Sequence, residues 1–243
     1  MISPRTARLV ARIHKWLGLI VGAQLAVWTA TGLFFTAFAL PQVRGEHLLH
    51  PPAHSAVDMR RVKLSSTDAL KAVVEDAPTE VTLRSLAGIP VYEIRAALGV
   101  FLVSAETGEI MSPISEGLAR QVATRAWAGK GALASMDLVD KAPREAGLPG
   151  QAWAAHFDGP GHPVVWISAI NGQLGPARTD LWRTYDFLYG LHLMDYAEHE
   201  NAHQPWTIGA AILALSTVLF GIVLLLHRFT RGVLRRPADG SGA

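Results

Sequence analysis

The run Leu17–Leu40, LGLIVGAQLAVWTATGLFFTAFAL, contains no charged residue. As a helix it would rise about 36 Å at roughly 1.5 Å per residue, enough to cross a hydrocarbon layer about 30 Å thick. A second uncharged run, Trp206–Leu226, WTIGAAILALSTVLFGIVLLL, lies towards the other end. Two such runs predict two membrane-spanning helices with a single region, 41–205, held between them.

The flanking charges orient this layout. Arg5, Arg8, Arg12 and Lys15 precede the first run, and Arg228, Arg231, Arg235 and Arg236 follow the second. On the other side Arg44 stands alone near the first run, and no Lys or Arg occurs between Arg183 and Arg228. Positive charge stays on the cytoplasmic side, so residues 1–16 and 227–243 are expected in the cytoplasm and 41–205 outside it. The basic balance (pI near 9.1) thus reads as membrane anchoring and gives no nucleic-acid patch. AFALP loosely resembles a signal-peptidase site, but the apolar stretch exceeds a typical signal core and reads as an uncleaved anchor. Cysteine is absent, which excludes disulfides, cysteine-held clusters and covalently attached haem.

The region between the runs alternates short helical and strand patterns. SSTDALKAVVEDAP predicts a helix capped by Ser66 or Thr67, with Ala69, Leu70, Val73 and Val74 as its apolar face. EVTLRSLAGIPVYEIRAALGVFLVSAETGEI predicts β-rich runs joined as antiparallel hairpins. EGLARQVATRAWAG returns to helical spacing through Leu118, Val122 and Ala126. An internal repeat crosses this pattern: VFLVSAETGEIMSP from Val100 aligns with VVWISAINGQLGPA from Val164. Gly108 and Gly172 occupy the same place in both and suit a turn with positive φ. The expected fold is therefore α+β: two transmembrane helices around short helices and antiparallel sheet. The repeat points to a small duplicated module over approximately 62–130 and 135–190, the second copy reduced.

These residues bring a family into view. IHKWLGLIVGAQLAVWTATGLFF, VRGEHL, the SAETGEI hairpin and LYGLHLMDY before the second span together resemble the PepSY domain and the PepSY-associated transmembrane proteins. The resemblance covers nearly the whole chain. It implies a periplasmic PepSY-like region anchored in a bacterial inner membrane, and some relatives act in ferric-siderophore reduction using b-type haem.

Histidines carry the remaining chemistry. His199-Glu200-Asn201-Ala202-His203 spells H-E-x-x-H, the zinc-protease helix. Nothing completes it: the metzincin positions hold Trp206 and Gly209, no Glu follows Glu200, and Pro205 disfavours helix beside the second ligand. Proteolysis is disfavoured. If the segment from Asp180 is one helix, His192, His199 and His203 fall within about 40° on one stripe, where a metal or porphyrin would meet them; wet interfacial histidines explain His199 and His203 better. His192, inside LHLMDY, and His47, inside RGEHL, would stand at the outer face. His14 and His227 would stand at the cytoplasmic ends. Neutral imidazole is a competent axial ligand, so His14, His47, His192 and His227 are the candidate haem b ligands. The loop histidines His156 and His162 read as solvated.

Gly18 and Gly22 form a small-xxx-small step suited to close packing against the second span, where Ser216, Thr217 and Gly221 offer a matching surface. Gln24 is expected to face protein. Two helices cannot enclose a porphyrin, so a homodimer or another membrane subunit is expected alongside the lipid bilayer. The sequence supports two functions: an accessory component of transmembrane electron transfer, or a non-catalytic periplasmic module that contacts a peptide, an enzyme or a membrane subunit.

Overall fold

The structure, a computed structural model, describes residues 4–51, 56–73, 78–197 and 203–234. The chain divides into a helical unit, 1–37 with 185–243, and an α+β unit, 38–184.

In the helical unit, α1 (Pro4–Ala37) and α6 (Pro205–Leu234) are continuous helices. Their stretches Arg8–Ala37 and Pro205–Thr230 are long and apolar enough to cross a membrane. The two helices run antiparallel: His14 lies against Gly221, while Ile20–Trp28 and Trp206–Ala214 border one crevice. Little of either helix is covered inside the chain, although Val21 and Thr31 are buried. Gly18 and Gly22 do not carry the packing expected of them. A Cβ added at either would meet nothing within 4 Å, whereas one added at Gly221 would come to 3.1 Å from the His14 ring. Ser216 and Thr217 turn back onto their own helix, donating to the carbonyls of Ile212 and Leu213 at 2.8 Å.

The α+β unit opens with the single turn α2 (Leu40–Val43) and contains two antiparallel sheets. Next comes α3 (Ser66–Ala72), which starts one residue earlier than a cap at Ser66 would place it. Ser65 is the N-cap and forms a capping box with Asp68, satisfying backbone donors at both positions. Ala69 and Val73 bury its apolar face; Val74 lies outside the described residues. The first sheet is β1 (Glu80–Leu86), β2 (Ile89–Ala96) and β3 (Gly99–Ser104) in sequence order. Its tight β1–β2 turn places Ala87 and Gly88 at φ 48° and 83°, the two-positive-φ geometry that matches strand twist. Tyr92, Ile94 and Val103 face α3.

The second module contains α4 (Glu116–Ala126), capped by Ser115, then β4 (Leu133–Val139), β5 (Ala152–Phe157), β6 (Val164–Ser168) and β7 (Leu174–Arg178). This sheet has four strands, so the second copy is the fuller one and not the reduced one. Helix α4 packs on β4, β5 and β6, while Leu118 and Val122 share a core with Leu86, Val91 and Leu102 of the first sheet. The helix expected to end the first module thus belongs mainly to the second and joins the two. Finally α5 (Asp180–Leu193) leaves this unit and enters the helical one.

The repeat is present atom by atom at the ends of β3 and β6. Ser104 N–H donates to Glu109 O and Ser168 N–H to Gln173 O, both at 2.9 Å. Gly108 and Gly172, at φ 78° and 70°, donate at 2.9 Å to Ser104 O and Ser168 O. Each serine hydroxyl accepts from the two backbone N–H groups two and three residues on. The bridge Val103–Ile110 has its counterpart in the β6–β7 pair Ile167–Leu174. Shared hydrogen bonding at corresponding positions goes beyond what any two hairpins have in common, and supports a duplicated module.

Candidate functional site

The best-formed candidate site in the helical unit surrounds His192, in the last turn of α5. That helix ends within the LHLMDY segment. Met194 takes φ 57°, its N–H donates to Leu191 O at 3.3 Å, and Asp195 N–H donates to Gly190 O at 3.0 Å. These paired bonds make a Schellman end, with methionine where glycine usually stands. The other two terminal carbonyls are also claimed. Trp28 Nε1 donates to His192 O at 2.9 Å, and Thr207 Oγ1 donates to Leu193 O at 2.8 Å. All four carbonyls that a helix end normally leaves open are therefore satisfied by protein, as a helix end away from water requires.

This ending breaks the histidine stripe expected from one long helix. Met194 turns the chain out of α5, and α6 starts only at Pro205. His199 lies outside the described residues, and His203 is exposed before α6. Among the described residues, no group of three or more His, Cys, Asp or Glu side chains is placed to hold a metal ion.

The His192 ring is held on the α1 face. Its Nδ1 lies 2.8 Å from Thr31 Oγ1, and the same hydroxyl lies 2.8 Å from Val27 O. The hydroxyl has one proton: given to Val27 O, it leaves Thr31 Oγ1 to accept from Nδ1–H of His192; given to Nδ1, it leaves the ring proton on Nε2. The first arrangement puts the ring's free lone pair on Nε2. Phe35 meets the ring edge-on at a centroid distance of 5.4 Å, and Tyr185 packs on Phe35 at 4.6 Å. Thr31, only 4% exposed, is the polar anchor in this aromatic wall.

The other candidates are placed separately. His14 Nδ1 and His227 Nε2 are buried and have no hydrogen-bond partner among the described residues, as has Gln24 Nε2. Gln24 is half-buried between the helices, as expected of it. His14 sits opposite Gly221, six positions before His227, an axial offset of about 9 Å at roughly 1.5 Å per residue. His47 belongs to the α+β unit, where it is exposed beside Trp127 and Lys130. His156 and His162, read as solvated, each meet a carboxylate: Asp137 at 3.1 Å and Asp180 at 2.6 Å. The hydrogen bond from His162, with a second from Arg183, holds the Asp180 carboxyl below its usual range. Glu106 is likewise lowered by Arg61, which donates at 2.7 Å, so it is a structural ion pair and offers no general base.

Sequence reasoning found His192 through its motif but missed Thr31, Trp28 and Thr207. Their signal is the helical spacing of Trp28, Thr31 and Phe35 on α1, legible only once a partner for that face is known. Comparison of the chain with protein-family models, with curated proteins and with solved structures finds no match.

Proposed function

We propose that this chain is a PepSY-type protein of a bacterial inner membrane, acting as an accessory component of transmembrane electron transfer of the ferric-siderophore-reduction kind. The observation that carries the reading is the Thr31–His192 pair. A ligating histidine characteristically donates its second ring N–H to a fixed acceptor, which sets tautomer and ring orientation. Thr31 Oγ1 stands where such an acceptor would, and with Nδ1–H donating to it Nε2 is the atom left to ligate. The buried, unpartnered nitrogens of His14 and His227 fit the same chemistry, since an orphaned imidazole nitrogen in a membrane helix costs free energy unless something engages it.

His192 would hold a haem b on the outer side, with His47 as its candidate partner, and His14 a separate one on the cytoplasmic side, with His227. One iron cannot serve both, since His192 meets Thr31, 17 residues or about 26 Å along α1 from His14. Haem, when bound, supplies one-electron transfer. The chain's own contribution is to orient imidazoles and keep water from them with the Phe35–Tyr185 wall. Two helices need more protein to enclose a porphyrin. The open face at Gly18 and Gly22 supports a second copy or another membrane subunit there. The antiparallel packing of α1 and α6 puts Arg5–Lys15 and Arg228 at one end, in keeping with both termini on the cytoplasmic side. A reporter fused near Ala134 should therefore register as periplasmic; a cytoplasmic signal would reverse the layout.

The ligand assignment is tested by replacing His14, His47, His192 and His227 singly with Leu and recording the spectrum of each purified variant. His192→Leu should lose or shift the haem bands most. Identical spectra across all four variants would refute the assignment.

A further inference from the structure

The α+β unit contains a cleft of about 620 Å³ that the electron-transfer reading does not use. It opens where the two modules meet. One wall is the face of the first sheet opposite α3, carrying Arg84 of β1 with Glu93 and Arg95 of β2; the facing wall is the end of α4 and the Asn171–Leu174 turn. Its volume falls within the range of roughly 300–1,000 Å³ common for small-molecule sites.

Charge in the cleft is arranged around Glu93, whose side chain is only 9% exposed. Arg84 Nε donates to Glu93 Oε2 at 2.8 Å, and Arg95 Nη2 donates to Oε1 at 3.0 Å. Arg84 also reaches across the cleft to donate to Asn171 O at 2.6 Å, so its guanidinium is fixed to both modules. The lining offers three guanidiniums, Arg84, Arg95 and Arg125, against two carboxylates, Glu80 and Glu93. One positive charge is left over, and geometry assigns it. Arg125 makes no hydrogen bond or ion pair among the described residues, and its Nη1 stands 2.7 Å from where a Gly88 Cβ would be. Gly88 is therefore the residue that lets this guanidinium lie across the turn. Leu86, Val122 and Leu174 add an apolar wall beside it.

We infer that this cleft binds an amphiphilic organic monoanion through its carboxylate, with Arg125 as the receiving fork and the apolar wall taking the body of the ligand. A planar guanidinium matches a carboxylate with two parallel N–H donors, and one uncompensated positive charge matches one negative charge. The carboxylate could come from a free small acid or from the C terminus of a peptide, and the chemistry at Arg125 is the same for both. The inference stands on the α+β unit alone, so a haem-free spectrum would not touch it.

The test is isothermal titration of the full chain in maltoside micelles with three probes: N-acetyl-Ala-Leu, its C-terminal amide, and 4-methylpentanoate. At least one of the two acids should bind, and the amide should bind about tenfold more weakly or worse, as loss of a charge-assisted pair requires. Binding of the dipeptide acid alone would identify a chain end as the source, and binding of 4-methylpentanoate would identify a free acid. Arg125→Gln should cost about tenfold or more with an unchanged unfolding midpoint, and Arg125→Lys should keep part of the affinity. The inference is overturned if neither acid binds at millimolar concentration, if the amide binds as well as the acid, or if Arg125→Gln binds like the parent.

Discussion

Thr31 Oγ1 and His192 Nδ1 lie 2.8 Å apart, joining the middle of α1 to the last turn of α5. The same hydroxyl lies 2.8 Å from Val27 O, so the contact ties the histidine ring to the α1 backbone. Thr31→Val keeps the shape and removes the hydroxyl, leaving Nδ1 of His192 without this partner. It should lower stability by about 1–2 kcal/mol, whereas Thr31→Ser should stay close to the parent. Thermal unfolding in detergent reads both, and equal midpoints for Val and Ser would show that the hydroxyl does no such work.

Met194 holds the left-handed position that ends α5. A residue with Cβ is strained there, and glycine is not. Met194→Gly should therefore stabilise the helix end by about 0.5–1 kcal/mol, offset in part by a more flexible unfolded chain. A clear loss of stability would mean that the Met194 side chain, which borders the crevice between α1 and α6, outweighs the backbone strain.

Glu93 ties the first sheet to Arg84, and through Arg84 to the Asn171 carbonyl. With the Glu93 side chain 9% exposed and that of Arg84 28%, removing the carboxylate leaves a partly buried guanidinium uncompensated. Glu93→Gln should cost about 2 kcal/mol in urea unfolding, while Arg60→Ala, which breaks an exposed pair with Asp58, should cost nothing measurable. Equal effects of the two would remove Glu93 from the architecture of the cleft.

The capping box of α3 has a pH signature. Hydrogen bonds from Ser65 and then Lys71 hold the Asp68 carboxyl down to about 2 from the ordinary 3.8. A carboxyl depressed by folding contributes stability that is fully present above its unfolded value and fades as pH falls towards the folded one. The contribution should thus be constant above about pH 4 and disappear towards pH 2. A carboxyl-detected NMR titration should place Asp68 near the bottom of that window, and Ser65→Ala should move it back up. An Asp68 titration unaffected by Ser65→Ala would contradict the box.

Much of this architecture is legible in the residues. Charge-free runs gave α1 and α6, the hydroxyls of Ser66 and Thr67 gave a capped helix whose cap is in fact Ser65, and the matched Ser-Ala-x-x-Gly strings gave the two repeated turns. The end of α5 was not legible, because sequence rules look for glycine or asparagine at a left-handed helix end and Met194 occupies it. Gly18 and Gly22 looked like the contact with α6, yet Val21 lines the crevice with α6 and Gly221 meets His14, since spacing says which residues share a face but not which face is used. The cleft was invisible for a different reason: Arg84 and Glu93 meet through strand register, and Asn171, 87 positions from Arg84, reaches them only through the docking of two modules.

The electron-transfer reading is tested most directly by a reduced-minus-oxidised absorption spectrum of the full chain, purified in detergent from haem-replete cells. The account predicts b-type haem bands in the parent protein that weaken or shift in His192→Leu. A haem-replete preparation of folded protein without such bands would contradict it.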